Sequence, residues 1–350
     1  KRRIKIAMLN KLITLAENGS LPDFMIEYGI KRLCNERLVW AKDIGPEALQ
    51  QHHQEWVEKL KNSPIALVPE KANEQHYEVP PSFFELSLGK HLKYSCGYWD
   101  DHTKNLDESE RLMLEKTIER ADIIDGINIL ELGCGWGSLT FAMAKKFTNS
   151  NITAVSNSND QREYIENKCK LHKIENIKVI TCDMNDFHIE DKFDRVVSIE
   201  MFEHMRNYKL LLNKISTFLN PNGTLFVHIF THNTMVYPYE DNGPGDWMAR
   251  EFFSGGLMPS HNLLLNFQDD LKIEKQWKLS GNHYSKTSYA WLKQMDINKT
   301  KIVPIFEETY GKKSAKMWFQ RWRIFYLSCA VMFGMRNGSE WGVSHYRFKK

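Results

Sequence analysis

The stretch "ILELGCGWGSLTFAMAKKF", Ile129 to Phe147, sets an apolar run against three alternating glycines, Gly133, Gly135 and Gly137, and then a helix-patterned segment. This junction constrains the fold more than any other feature of the 350 residues. The apolar run reads as a buried strand, and glycines at its end let the backbone turn tightly and approach a ligand before a helix begins. The rhythm then repeats. "NITAVSNS", "IKVITCD", "FDRVVSIE" and "GTLFVHIF" read as strands, with helices between them from Asp160 and from Tyr208 to Leu219. Alternating strands and helices predict an α/β fold with a mostly parallel, doubly wound sheet of Rossmann-like type.

Residues 1–75 read as helical and polar, with apolar positions at helical spacing in "KIAMLNKLITLAENG" and "PEALQQHHQEWVEKLKN" and a break at "NGSLPD". "HYEVPPSFFELSLGKHLKYSCGYWDD" is turn-rich and aromatic, which suits either ordinary core or a lid over an apolar substrate. A capped helix is expected from near Asp107. After Phe230 comes a Gly- and Pro-bearing insertion, then "LKIEKQWKLSG", further helices and a strand-like "GVSHYRFKK". The expected organisation is a helical N-terminal cap and lid over 1–125, and a core over 126–350 with a lid insertion at 231–265.

The glycine spacing is G-x-G-x-G, not the G-x-G-x-x-G of dinucleotide sites. A dinucleotide site also wants an acid at the end of the second strand to hold ribose hydroxyls, where this chain has Ser156 and Asn157. An acid before the turn, Glu131, and Asp183 with Met184 after the third strand, placed to edge and stack an adenine, suit S-adenosylmethionine better than a pyrophosphate.

The net charge of +3 is too small to point to nucleic acid. The six cysteines form no CxxC pair, so neither a disulfide frame nor a zinc site is expected, and no metal. No apolar run reaches membrane-span length, and "KRRIKIAMLNKL" lacks a cleavage site, so a cytoplasmic location is the expectation.

"ELGCGWGSLT", "AVSNSNDQREYI", "FDRVVSIEMFEHMRNY", "FFSGGLMPS", "YSCGYW", "GNHYSKT" and the tail "NGSEWGVSHYRFKK" resemble one branch of the class I methyltransferases. That branch contains the cyclopropane fatty acid synthases and the coclaurine-type N-methyltransferases. The resemblance spans about Tyr77 to the C terminus. It implies cofactor contacts from Tyr94, Ser95, Gly133, Asn157, Gln161, Asp183 and Met184, to which the glycine turn adds Glu131 and Gly135.

Two chemistries run on that cofactor within the branch, and "IEMFEHM" at Ile199–Met205 bears on both. An amine is nucleophilic only when neutral, so its methylation needs a proton acceptor and gains from a carboxylate near the developing ammonium. Glu200, Glu203 and His204 match the Glu-x-x-Glu-His of the alkaloid N-methyltransferases. On a turn and helix they would share one side, so that a carboxylate could orient the imidazole. The lipid-acting relatives are understood to hold a bicarbonate with a Cys, a Glu, a His and a Tyr, for which Cys96, Glu203, His228 and Tyr284 stand here. Those relatives usually have Gly where this chain has Glu200. The resemblance therefore implies either a hydrophobic amine substrate or an unsaturated lipid, with a homodimer as a further expectation. Taken singly, Cys96 suits a buried apolar thiol, His228 a core histidine and Glu203 a helix cap. His232, His261 and the "QHHQ" at Gln51–Gln54 have no partner pattern and are expected on the surface or in loops.

Overall fold

The computed structural model describes residues 2–67 and 79–350; the start of the aromatic stretch, 76–78, lies outside them. Seven strands form one sheet in the order β3-β2-β1-β4-β5-β9-β8. β1 (Asn128–Leu132), β2 (Asn151–Ser156), β3 (Ile177–Thr181), β4 (Phe193–Ile199) and β5 (Leu219–His232) pair in parallel. β9 (Trp341–Lys349) enters antiparallel between β5 and β8 (Lys272–Ser280). The last four residues of β1 are all buried, which is why it reads as a continuous apolar run and not as an alternation: helices cover both faces of a parallel sheet. β5 starts at Leu219, four residues before the expected "GTLFVHIF", because Leu219 already pairs with Phe193.

Two N-terminal helices precede the sheet, α1 (Arg2–Glu17) and α2 (Asp23–Lys61). α2 bends where Gly45 takes φ +80° ahead of Pro46, a pair that cannot continue a regular helix. α3 (Pro81–Ser87) and α4 (Leu106–Arg120) follow. α4 starts at Leu106, one residue before the expected Asp107, since the Asn105 side chain accepts from the Glu108 N–H and supplies the cap. α5 (Ser138–Lys146), α6 (Asn159–His172) and α7 (Tyr208–Phe218) alternate with the parallel strands.

The segment after β5 carries a short helix, α8 (Trp247–Glu251), and a two-stranded ribbon, β6 (Tyr237–Pro238) with β7 (Leu257–Met258). Three helices lie between β8 and β9: α9 (Gly281–Ile297), α10 (Lys299–Tyr310) and α11 (Ala315–Gly334). α11 packs on α9, α10 and α2, and buries Trp322, Phe325 and Tyr326. Phe83 of α3 meets Trp322 with ring centroids 4.7 Å apart. The aromatic stretch expected as core or lid thus supplies core on this side.

The histidines expected at the surface or in loops hold the fold together, His261 doing so from a turn as expected. His232 is 2% exposed, and its Nδ1 accepts from the N–H groups of Thr234 and Met235, which fixes the exit from β5. His52 lies 3.0 Å from the Val236 carbonyl, and His53 bonds Ser260 and Asn266, so α2 is tied to the insertion. His261 bonds Ser344 of β9. The partners of His52, His53 and His261 are distant in sequence, which is why spacing could not reveal them.

Candidate active site

The glycine turn forms the floor of a cleft at the carboxyl ends of β1, β2 and β3, the usual place for a ligand on such a sheet. Gly133 takes φ +81°, and a Cβ there would lie 2.9 Å from Met201 Cβ. Gly135 takes φ +53°, and a Cβ there would meet no protein atom within 4 Å, although the residue lines the cleft. The first glycine is required by packing and the second by open space beside the backbone. No side chain caps α5, so its first-turn N–H groups lack a side-chain acceptor.

All nine residues assigned to the cofactor line this one cleft: Tyr94, Ser95, Glu131, Gly133, Gly135, Asn157, Gln161, Asp183 and Met184. Thr140 donates to Glu131 at 2.6 Å, and burial pushes the Glu131 carboxyl up to about 8. Ser156 donates to Gln161 Oε1 at 2.6 Å, while Gln161 Nε2 and Ser138 Oγ are buried with no hydrogen-bond partner among the described residues. Unpartnered buried polar atoms around an open glycine backbone fit an adenosyl amino acid, which brings acceptors and donors of its own. Asp183 Oδ1 accepts from the Asn185 N–H at 2.7 Å, which holds the carboxylate at the strand end.

A second cavity, of about 1250 Å3, adjoins the cleft at Tyr94, Glu200 and His204. Its walls include Phe230, Tyr239, Phe253, Phe325 and Trp291, and the first helices close it with Leu9, Leu12, Leu21 and Phe24. Glu203 and Tyr284 also face it.

Glu200 is the centre of the polar network. It follows β4 in a left-handed conformation, φ +48°, which costs a non-glycine residue roughly 1–2 kcal/mol. The turn places its carboxylate among three donors. Oε1 accepts from the Cys96 backbone N–H at 2.9 Å and lies 3.0 Å from His228 Nε2, while Oε2 accepts from the Tyr284 hydroxyl at 2.6 Å. Tyr284 itself stacks on Phe333, with centroids 4.2 Å apart. Burial pushes the Glu200 carboxyl up, and Lys93, the Cys96 N–H, Tyr284 and His204 oppose that rise.

This corrects the sequence reading in four ways. Glu200, Glu203 and His204 do not share a helix face, because Glu200 sits at the strand end and only Phe202–His204 form a 3-10 turn. Glu200 hydrogen-bonds the His228 imidazole. Cys96 contributes its backbone N–H, while its thiol bonds the Gly97 carbonyl. Glu203 is also no helix cap; Asn207 caps α7.

Glu203 is 1% exposed, and neither of its oxygens has a hydrogen-bond partner among the described residues. Burial holds its carboxyl well above the usual carboxylate range, and the Glu200 charge adds to this, with only the backbone N–H groups of Glu203 and Phe230 pulling the other way. Of the two carboxylates, Glu200 keeps the negative charge and Glu203 keeps the proton, since the donors are on Glu200. His204 lies beside the Phe253 ring at 4.7 Å, and burial pushes it down to about 4 despite the Glu200 charge.

Lys93 was not expected. It is 3% exposed, lines the cofactor cleft and donates to Ser95. Burial pushes its ammonium down, and Glu200 and Glu110 oppose that shift. The only signal for it was its place directly before Tyr94 in the quoted motif. His345 of β9 was also missed; it sits inside the tail segment, where strand alternation alone gave it no role.

Residues 68–339 match the family described as mycolic acid cyclopropane synthetase. The chain is 39% identical to the (S)-coclaurine N-methyltransferase of Thalictrum flavum subsp. glaucum, over 100% of this chain and 97% of that one. The chain belongs to the coclaurine-type N-methyltransferases of the cyclopropane fatty acid synthase-like class I family. It is also 36% identical to the pavine N-methyltransferase of the same plant, over 100% of this chain and 99% of that one. The crystal structure of a coclaurine N-methyltransferase bound to N-methylheliamine and SAH superposes with a TM-score of 0.95 at 38% identity, covering 98% of this chain and 100% of that one. The chain is thus an S-adenosylmethionine-dependent methyltransferase with the fold expected of one. Among the described residues no helix is long and apolar enough to cross a membrane.

Proposed function

We propose that the protein methylates the nitrogen of a hydrophobic, aromatic amine held in the 1250 Å3 cavity. The observation that carries this reading is the pairing of a donor-saturated Glu200 with an unpartnered Glu203 where the cavity adjoins the cleft. The relatives named as coclaurine and pavine N-methyltransferases support it. S-adenosylmethionine, in the cleft lined by Tyr94, Ser95, Gly133, Asn157, Gln161, Asp183 and Met184, supplies an electrophilic methyl on a sulfur that keeps the bond pair.

The chain's own residues then handle binding and protons. An amine arrives mostly as its ammonium, and a cation beside Glu203 reverses the burial that keeps that carboxyl protonated. The Glu203 proton leaves to solvent as the cation binds. In a cavity of low polarity the ion pair then relaxes to a neutral pair when the ammonium proton moves to Glu203, which frees the nitrogen lone pair. Glu200 stays ionised and offsets the positive charge that returns to nitrogen. His204, neutral at physiological pH, lines the same junction and positions the amine. The aromatic walls suit a flat cationic substrate.

The lipid reading fares less well. Three of its four bicarbonate groups, Cys96, His228 and Tyr284, already converge on the Glu200 carboxylate. That carboxylate does there what a bound anion would do, and neither bicarbonate nor a lipid olefin belongs to our reading. The helical cap over 1–125, the core over 126–350 with its 231–265 lid, a homodimer and a cytoplasmic location remain part of it as proposals.

The test is methyl transfer from labelled cofactor to benzylisoquinoline, phenylalkyl and aliphatic amines, beside unsaturated phospholipid vesicles. Activity on aromatic amines, lost in Glu203→Ala, is the expected result. Transfer to vesicles alone would overturn it.

A further inference from the structure

Behind Glu200 a hydrogen-bonded row runs across the sheet from β5 to β9 and the end of α4. His228 of β5 and His345 of β9 are register partners, and Trp277 of β8 is the next partner in the same row. His228 Nε2 lies 3.0 Å from Glu200 Oε1, and His228 Nδ1 lies 2.9 Å from His345 Nε2. The row ends at Arg120, the last residue of α4, whose Nη1 is 2.9 Å from His345 Nδ1. The Arg120 guanidinium lies over the Trp277 ring, 5.0 Å from its centroid. Both histidines are fully buried, and neither lines the cleft or the cavity.

A guanidinium has five N–H donors and no acceptor, whereas a neutral imidazole has one of each. The direction of every bond in the row follows from that asymmetry. Arg120 donates to His345 Nδ1, so the His345 proton sits on Nε2 and is donated to His228 Nδ1. The His228 proton then sits on its Nε2 and is donated to Glu200. Burial and the cations Arg120 and Lys93 hold both rings neutral. Without the donor at the far end the pair has a second arrangement, with both protons on Nδ1. That arrangement turns a ring lone pair toward Glu200 and requires Glu200 to carry a proton.

We propose that Arg120 is a positioning residue for methyl transfer: it fixes the tautomers of His345 and His228, and so holds Glu200 as an oriented carboxylate. The proposal rests on the function proposed above only for its effect on turnover, since the tautomers are set whether or not Glu200 takes part in catalysis. The row does not carry protons out of the site, because Arg120 cannot accept one. Other charged and titratable groups face the row. Lys93, Glu203, His204 and Tyr284 surround Glu200. Lys116 faces His345, and Glu119 and Tyr98 face Arg120. Of the cations, Lys93 is on the cofactor side and donates to Ser95, so it does not fix the ring protons.

The test uses the full chain labelled with 15N-histidine. In the wild type, two buried histidines should show protonated Nε2 and bare Nδ1, assigned by loss of the signals in His228→Gln and His345→Gln. A wild-type His345 with its proton on Nδ1 would overturn the proposal without any variant of Arg120. In Arg120→Met, which keeps the apolar stem over Trp277, both rings should show mixed tautomers. Turnover near neutral pH should fall roughly tenfold, the acid limb of the kcat profile should move to higher pH, and the affinity for SAH should stay the same. Arg120→Lys, again a donor-only cation, should restore the tautomers and the profile. Unmixed tautomers and an unchanged profile in Arg120→Met would also overturn it. Mixed tautomers with unchanged turnover would keep the lock, overturn its part in catalysis and place the fault in the role given to Glu200.

Discussion

Tyr284 donates its hydroxyl to Glu200 Oε2 at 2.6 Å across 84 positions of sequence, from a helix that packs against the end of the sheet. This bond joins one residue assigned to amine chemistry and one assigned to lipid chemistry into a single unit. The two candidate clusters are one cluster, with Glu200 at its centre.

Glu200→Ala should therefore lower turnover by roughly a hundredfold or more, since it removes the charge facing the developing ammonium. Tyr284→Phe should cost roughly tenfold, in line with one charge-assisted hydrogen bond. The double variant should cost little more than Glu200→Ala, because the tyrosine acts through the carboxylate. Single-turnover kinetics on all three variants would check this; fully additive losses would separate the two residues.

Gly135→Val should weaken SAH binding by at least tenfold and lower stability only through strain at the turn. The positive φ of Gly135 disfavours valine, but no protein atom lies within 4 Å of the new Cβ, so the added methyls enter the space beside the turn. Isothermal calorimetry reads the affinity and thermal unfolding reads the fold.

The pH dependence of kcat/KM on an amine should rise toward alkaline pH and show no inflection from His204. Burial pushes that histidine down to about 4, so it is already neutral throughout the rise. The rise belongs to the amine and to the proton that Glu203 must release. Glu203→Gln should flatten it, and a profile on the Gln variant identical to the wild type would remove Glu203 from proton handling.

Glu110 accepts from the N–H groups of Gly89 and His91, both at 2.9 Å, and so holds the loop that leads to Lys93 and Tyr94. Burial pushes its carboxyl up to about 7. Because the folded-state value is raised, the folded chain binds the extra proton. This stabilisation is full below about 4.5, the ordinary value, and is lost as pH rises through about 7. Glu110→Gln should unfold at lower urea than the wild type at pH 5. The gap should narrow toward pH 8, by at most about 1.4 kcal/mol per pH unit. A gap independent of pH would show that Glu110 does not titrate on unfolding.

The parallel strands, the glycine turn, Glu131, Asp183 and Met184 were legible because they are local: apolar runs, glycines and strand ends lie within a few residues of each other, whereas Tyr94, Ser95, Asn157 and Gln161 were legible only through the family resemblance. Strand β1 could be read from its own composition, since both of its faces are buried. The sequence by itself determined the sheet, the cofactor floor and the presence of Glu200, Glu203 and His204 near the end of β4. Only the tertiary structure decided what those three residues do. A left-handed turn at Glu200 breaks the expected helical spacing, and its donors come from positions 96, 228 and 284. The His228–His345 contact depends on β9 entering antiparallel beside β5, and the end of α4 brings Arg120 to it. Burial then splits the two carboxylates into one charged and one protonated group. Spacing along a chain cannot carry that information, because which oxygen keeps a proton depends on donors and dielectric supplied by segments distant in sequence.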